Sequence, residues 1–354
     1  MIDRRRTVQG LAAAAALSLS GGGHAALRLS TPAPSDPSGN RKPPRLRPGD
    51  VVGLVEPAKF TPDRFQLNRV VDTIEAMGLK ARLAPHLTDR YGYLAGEDAA
   101  RAADLTAMYA DAEVRAVFAV RGGWGSARTL PYLDWETIRA NPKLLVGYSD
   151  ITSLHLAFQR VAGFPTLHAP IAAASWPAYS WEAFRSVAFE GATPVYSNPA
   201  PAEDRLARMA GSHEVLRPGR ARGRLIGGNL TVLTSLVGTP YLPDMSGAIL
   251  FLEDVDEPPY RLDRMMTQLA LAGILRAVAG VVFGQCTDCT PGGESYGGFT
   301  VMQVLDQHLT PLGIPAFAGA QFGHVARQWT LPLGVEAEMD AQAGTLTLLE
   351  PAVS

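Results

Sequence analysis

From residue 51 to residue 158, strand-length apolar runs alternate with segments of helical period, and that alternation leaves few folds open. Residues 51–55 are a short apolar run closed by Glu56-Pro57. Residues 62–77 carry Phe65, Val70, Val71 and Ile74 and stop at Gly78, a helix with its terminating glycine. Residues 81–84 have the length of a second strand, and residues 97–110 read as an alanine-rich helix. A strand over 114–120 runs into Arg121-Gly122-Gly123-Trp124-Gly125-Ser126-Ala127-Arg128, and a helix covers 134–139. Then Leu144-Leu145-Val146 forms a buried strand, Gly147 permits a sharp turn, and Ile151, Leu154 and Phe158 recur at helical spacing. Such alternation implies an α/β fold with a mostly parallel sheet, helices on both faces, and ligands at the carboxyl ends of the strands. The glycine-rich loop and Ser149 both fall at such ends.

At 354 residues the chain exceeds one ordinary domain. Residues 46–190 form the expected first domain. Residues 191–222, interrupted by Pro194, Pro199, Pro201, Pro218 and Gly219, read as an irregular connector. A second domain spans 223–354: Gly227-Gly228-Asn229 leads into an apolar helix, and a strand over 247–252 ends in Glu253-Asp254-Val255-Asp256-Glu257. An amphipathic helix over 261–272, a strand over 278–283 and a helix over 299–309 follow. Residues 314–318 lead to Gln321-Phe322-Gly323-His324, and residues 329–349 alternate like antiparallel strands around Ala343-Gly344.

The first 26 residues have the order of an export signal: Arg4-Arg5-Arg6, a weakly hydrophobic run over 11–19, and a small-residue exit at Ala25-Ala26. Paired arginines before so mild a core resemble a twin-arginine signal, which predicts an exported, periplasmic protein. Residues 27–45, rich in proline, serine and arginine, read as a flexible tether. No later stretch has the length and apolarity of a membrane span, so stable membrane insertion is not expected. A formal charge of −2 argues against nucleic-acid binding. The two cysteines, Cys286 and Cys289, form a single C-x-x-C, read as incidental or as one local disulfide.

Ser149 has two readings. It caps the helix that follows, or it is a nucleophile whose negative charge the helix amides stabilise. The glycine loop lacks the third glycine of a dinucleotide site, Arg128 standing in its place. Its unhindered amides suit an oxyanion, or only a tight turn. A serine nucleophile needs a base and an orienting acid. His155 and His308 lie within helices and read as structural, His213 sits in the connector, and nothing around His86 recommends it. His168 follows a short apolar strand and is a credible site residue. His324 follows a strand and a glycine, as a site base or a solvated loop residue would. Glu253 ends an apolar strand, and its acidic run reads as an orienting acid, a metal site or a solvated loop; no ligand spacing typical of a metal site occurs.

Several of these stretches together resemble the LD-carboxypeptidase family (peptidase family S66), which also includes microcin C immunity proteins. They are residues 121–128, Leu130-Pro131-Tyr132-Leu133-Asp134, Val146-Gly147-Tyr148-Ser149-Asp150-Ile151-Thr152, Gly227-Gly228-Asn229-Leu230, Leu252-Glu253-Asp254-Val255 and Phe322-Gly323-His324. The resemblance implies a Rossmann-like N-terminal domain and a smaller C-terminal β/α domain with the active site at their interface. It implies Ser149 as nucleophile, Glu253 as acid and His324 as base, with the Asp150 amide and a glycine amide of Gly122 or Gly123 as oxyanion hole. Trp124, Tyr148 and His168 become candidate pocket residues. No metal or cofactor is implied; the substrate would be a murein tetrapeptide cut before its terminal D-alanine, and a homodimer is expected by analogy. The chain departs from the family at Glu56-Pro57-Ala58, where Ala-Pro-Ser is usual, and at Trp124, where tyrosine is common.

Overall fold

The structure, a computed structural model, describes residues 41–199, 213–291 and 297–354. The segment read as an export signal, most of the tether and residues 200–212 of the connector lie outside them. Fourteen strands among the described residues form two sheets. They are β1 (Val51–Val55), β2 (Lys80–Leu83), β3 (Val114–Ala119), β4 (Leu144–Gly147), β5 (Thr166–His168), β6 (Val195–Tyr196) and β7 (Glu214–Arg217), then β8 (Arg220–Asn229), β9 (Ile249–Val255), β10 (Gly280–Thr287), β11 (Ala316–Ala318), β12 (Leu331–Leu333), β13 (Glu336–Asp340) and β14 (Thr345–Leu348).

The first sheet runs β12-β5-β4-β3-β1-β2. Strands β1 to β5 are mutually parallel, as the strand–helix alternation requires, and β12 is antiparallel to β5. The first four helices are those the apolar period marks, and the fifth was not expected from the sequence. In α1 (Arg64–Ala76), Asp63 caps the start by accepting from the Gln66 amide, and Leu67, Val70 and Ile74 face the core. Phe65, off that stripe, is exposed. Helix α2 (Asp98–Ala110) buries Leu105 and Met108, and α3 (Trp135–Ala140) starts on an Asp134 cap. Helix α4 (Thr152–Ala157) is buried along its whole length, so both the sheet and the second half of the chain pack on it. Helix α5 (Ala178–Ala188) closes the first half.

The second sheet runs β6-β14-β13-β8-β9-β10-β11-β7. Its centre, β8 to β11, is parallel, and the flanking strands are antiparallel. Helices α6 (Leu230–Ser235), α7 (Pro259–Leu271), α8 (Ile274–Ala277) and α9 (Val301–Leu309) connect these strands, α9 opening on a Thr300/Gln303 capping box.

Three sequence expectations change. The described ends of residues 191–222 contain ordered strands that pair with the second sheet: Tyr196 in β6 donates to the Thr330 carbonyl and stacks on Trp329. Residues 41–45 are not free tether. The Arg45 amide donates to the Ser354 carbonyl, the Ser354 amide to the Pro43 carbonyl, and Lys42 pairs with Glu350. Leu46, next in line, is fully buried. Finally β12 leaves the C-terminal half and completes the first sheet; Pro332, which has no amide to donate, suits an edge strand.

Candidate functional site

At the carboxyl end of β4 the chain reverses within three residues. A Cβ at Gly147 would meet Ile151 at 2.9 Å and Ala119 at 3.2 Å, so the turn accepts only glycine there. Tyr148 is extended, and Ser149 takes φ 63, left-handed backbone rare for a residue with a Cβ. Residues holding such strain concentrate where a side chain must be presented in one direction. Ser149 opens a 3-10 turn, Ser149–Ile151, that leads into α4. It is therefore more than a helix cap.

The turn is tied to the glycine loop. Asp150 is fully buried and accepts from the Ser126 amide at 2.8 Å, while the Ser126 hydroxyl donates to the Asp150 carbonyl at 2.6 Å. Burial holds the Asp150 carboxyl above the usual range, opposed by these bonds and by Arg101. The loop thereby brings Gly122 against the serine: a Cβ there would lie 3.2 Å from Ser149 Cβ and 3.4 Å from its Oγ. The amides of Gly122, Gly123 and Asp150 donate to no acceptor among the described residues.

The second sheet supplies the partners. Glu253, in β9, is fully buried, and His324 lies in the loop after β11. Gly323 has φ 107, and a Cβ on it would meet Glu253 Cβ at 2.9 Å, so glycine lets the loop close over the strand. His324 Nδ1 lies 2.8 Å from Glu253 Oε2, and His324 Nε2 lies 3.0 Å from Ser149 Oγ. A carboxylate can only accept, so Nδ1 carries the proton and Nε2 is free to accept from the serine hydroxyl. A hydroxyl, an imidazole and a buried carboxylate in that order can move a proton off the oxygen and hold the resulting imidazolium.

Of the candidate pocket residues, Tyr148 lies against the site, its ring centroid 4.9 Å from that of His324. Burial, then the Glu253 charge, pushes its hydroxyl up to about 12, so it stays protonated. With Trp176, Asp288, Gln328 and His324 it lines a cavity of about 410 Å³. His168 does not reach this cavity. It is fully buried behind the site between Tyr148, Phe251 and Phe322, neither ring nitrogen has a partner among the described residues, and burial drives it well down, so it stays neutral. Trp124 does not line the cavity either; it is 45% exposed between two positive-φ glycines. Glu56, one departure from the family pattern, is buried at the end of β1 and accepts from the Thr61 amide and hydroxyl.

The remaining histidines among the described residues pair elsewhere: His155 with the Gly147 carbonyl, His308 with Asp263, His86 with Asp104 and His213 with the Gln342 carbonyl. Burial lowers His155 to about 4.

A docking network escaped the sequence reading. A Cβ at Gly228 would lie 2.4 Å from Thr152 Oγ1, so the end of β8 packs directly on the first turn of α4. There the Asn229 amide donates to Thr152 Oγ1 at 2.9 Å, and Asn229 Nδ2 donates to Asp254 at 3.1 Å. Asp254 also accepts from the amide and hydroxyl of Thr231. Asp254 is thus a structural acceptor beside Glu253, raised to about 6 by burial. Among the described residues no group of three or more His, Cys, Asp or Glu is placed to hold a metal ion, and no helix is long and apolar enough to cross a membrane. The signal for the network was Gly227-Gly228-Asn229, read from the sequence only as the lead into an apolar helix and as part of the family resemblance.

A parallel β/α sheet presenting a strained serine to a histidine and a glutamate from a second sheet defines a two-sheet α/β class of protein. Within it, residues 52–169 match the LD-carboxypeptidase N-terminal domain and residues 222–339 the LD-carboxypeptidase C-terminal domain. The chain belongs to the LD-carboxypeptidase family. It is 35% identical over 320 residues to the "Probable murein peptide carboxypeptidase" of Bacillus subtilis, covering 89% of this chain and 96% of that one. It is 31% identical over 305 residues to the murein tetrapeptide carboxypeptidase of Pseudomonas aeruginosa, covering 82% and 92%. Among solved structures, the muramoyltetrapeptide carboxypeptidase of Oxalobacter formigenes superposes with TM-score 0.71 at 28% identity, over 84% of this chain and 97% of that one. The microcin C7 self-immunity protein MccF superposes with TM-score 0.79 at 24% identity over 89% and 100%, a likeness of fold.

Proposed function

We propose that the protein is a serine carboxypeptidase that hydrolyses the amide bond before the terminal D-alanine of murein tetrapeptides. One observation carries the mechanism: Ser149 Oγ, His324 and Glu253 are joined by bonds of 3.0 and 2.8 Å across two sheets, with the serine backbone left-handed. His324 takes the Ser149 proton as the oxygen attacks the carbonyl carbon, and Glu253 stabilises the imidazolium. The amides of Asp150 and Gly122 or Gly123 receive the oxyanion. The tetrahedral adduct collapses, His324 protonates the leaving amine of D-alanine, and water attacks the acyl-enzyme by the same route. The names of the Bacillus subtilis and Pseudomonas aeruginosa relatives support the substrate class. Residues 1–26 direct export, which places the enzyme beside murein.

The test is D-alanine release from murein tetrapeptide by the wild type and by Ser149→Ala. Release by the wild type alone is expected. Release by both removes Ser149 from the mechanism. Release by neither, with cleavage of a peptidyl-nucleotide, moves the reading to a hydrolase of peptidyl-nucleotide antibiotics, on the side of the family where the 26% identical microcin C7 self-immunity protein of Escherichia coli lies. Release by neither, with tight tetrapeptide binding, makes the protein a muropeptide binder.

A further inference from the structure

The pairing of β10 with β9 slips between Phe283 and Cys286, then resumes with Cys286 opposite Asp254 and Thr287 opposite Val255. That slip carries β10 past the Glu253 level and up beside the His324 loop. Gln285, at the slip, donates its amide to the Phe322 carbonyl at 3.0 Å and its side-chain nitrogen to the Gly319 carbonyl at 2.8 Å. Thr287 comes next. Its carbonyl accepts from the Asp256 amide at 2.8 Å, and its hydroxyl donates to the carbonyl of His324 itself at 2.9 Å.

A disulfide between Cys286 and Cys289, with Cα atoms 5.4 Å apart, closes the turn that contains Thr287. Inside it Asp288 takes φ 57 and lines the cavity beside His324. Both cysteines are half-buried, so a small thiol reagent can approach them. The site thus has two anchors on its histidine. Glu253 holds the ring, and Thr287 holds the main chain just after Gly323, whose φ of 107 gives the loop a pivot.

We propose that Thr287 is a positioning residue for His324, kept in place by the Cys286–Cys289 disulfide, so that reducing this bond weakens the site. The inference rests on the reading of His324 as the base for Ser149. A base must stay within hydrogen-bond reach of its nucleophile, and displacement by about 1 Å costs about a hundredfold in rate. A dithiol supplies the two electrons and two protons that convert the cystine to two thiols and is itself oxidised to a cyclic disulfide. The opened turn then no longer confines Thr287, and His324 loses one of its two anchors.

Two readouts are taken on the full oxidised chain: the rate at which a fluorophosphonate probe labels Ser149, which needs no knowledge of the substrate, and the kinetics of D-alanine release. Thr287→Val is expected to label about tenfold more slowly and to lower kcat with KM little changed, and Thr287→Ser to restore both. Dithiothreitol, or Cys286→Ser with Cys289→Ser, is expected to slow the wild type by a similar factor and Thr287→Val no further. Wild-type labelling by Thr287→Val overturns the proposal. So does an equal effect of dithiothreitol on the wild type and on Thr287→Val. If Thr287→Val fails to fold, wild-type labelling rates under dithiothreitol overturn it. A wild type whose Ser149 does not label sinks the reading of the base as well. Labelling that responds as expected without D-alanine release upholds the proposal and removes only the murein substrate.

Discussion

Ser149 is held by neighbours that leave its oxygen little choice of direction: Gly147 beneath, Gly122 beside it, and His324 at 3.0 Å. Gly122→Ala would push a methyl against the serine Cβ and the path of an oxyanion. The expected result is a kcat lowered by about a hundredfold, with the melting temperature shifted by a few degrees at most. An unchanged kcat would exclude that loop from the reaction. Glu253→Gln keeps the shape but not the charge that stabilises an imidazolium, and kcat should fall about a thousandfold or more at near-constant KM. Glu56 offers a separate test through pH. Burial, opposed by the Thr61 bonds and Arg121, raises its carboxyl from the usual range to about 7. Between about pH 4.5 and 7 the folded chain therefore holds a proton that the unfolded chain has lost, so stability declines as pH rises through this window. The decline is at most about 1.4 kcal/mol per pH unit. Denaturant titrations of wild type and Glu56→Gln at pH 5 and 7 should show a smaller decline in the variant; equal declines would mean Glu56 ionises normally.

At the scale of elements, the end of β8 and the start of α4 are the joint that assembles the site. Gly228 has φ 138 and no room for a Cβ beside Thr152, while Asn229 caps α6 and bonds both Thr152 and Asp254. Asn229→Ala loses the cap and leaves Asp254 short of a donor, a cost of about 2 kcal/mol or more, with activity reduced because the same joint carries Ser149 and Glu253. Thermal melts read beside kcat check this, and a variant stable but inactive would give Asn229 a direct role instead. Period and turn residues made α1, α2 and the strands β1, β3 and β4 legible in the sequence. The excursion of β12 was not, because Leu331-Pro332-Leu333 carries no sign of which sheet its backbone will pair with.

At the scale of the molecule, β12 crosses to the first sheet, while Pro43 and Arg45, ahead of β1, bond Ser354 beyond β14, so the two sheets are tied together at both places. One cooperative unfolding transition is expected in calorimetry, and two resolved transitions would show that the sheets melt separately. Leu46→Ala, at a fully buried position, should cost about 2–3 kcal/mol. What the sequence by itself determined is local: the alternation of strand and helix, the glycines at the turns, and, by resemblance, Ser149, Glu253 and His324 as candidates. Only the tertiary structure decided that Ser149, His324 and Glu253 come within hydrogen-bond reach, that His168 is sealed away from the cavity, and that the Cys286–Cys289 turn stands beneath His324. These are contacts between residues up to 175 positions apart, and hydrogen bonds at that separation follow from how the two sheets pack, which no local pattern encodes.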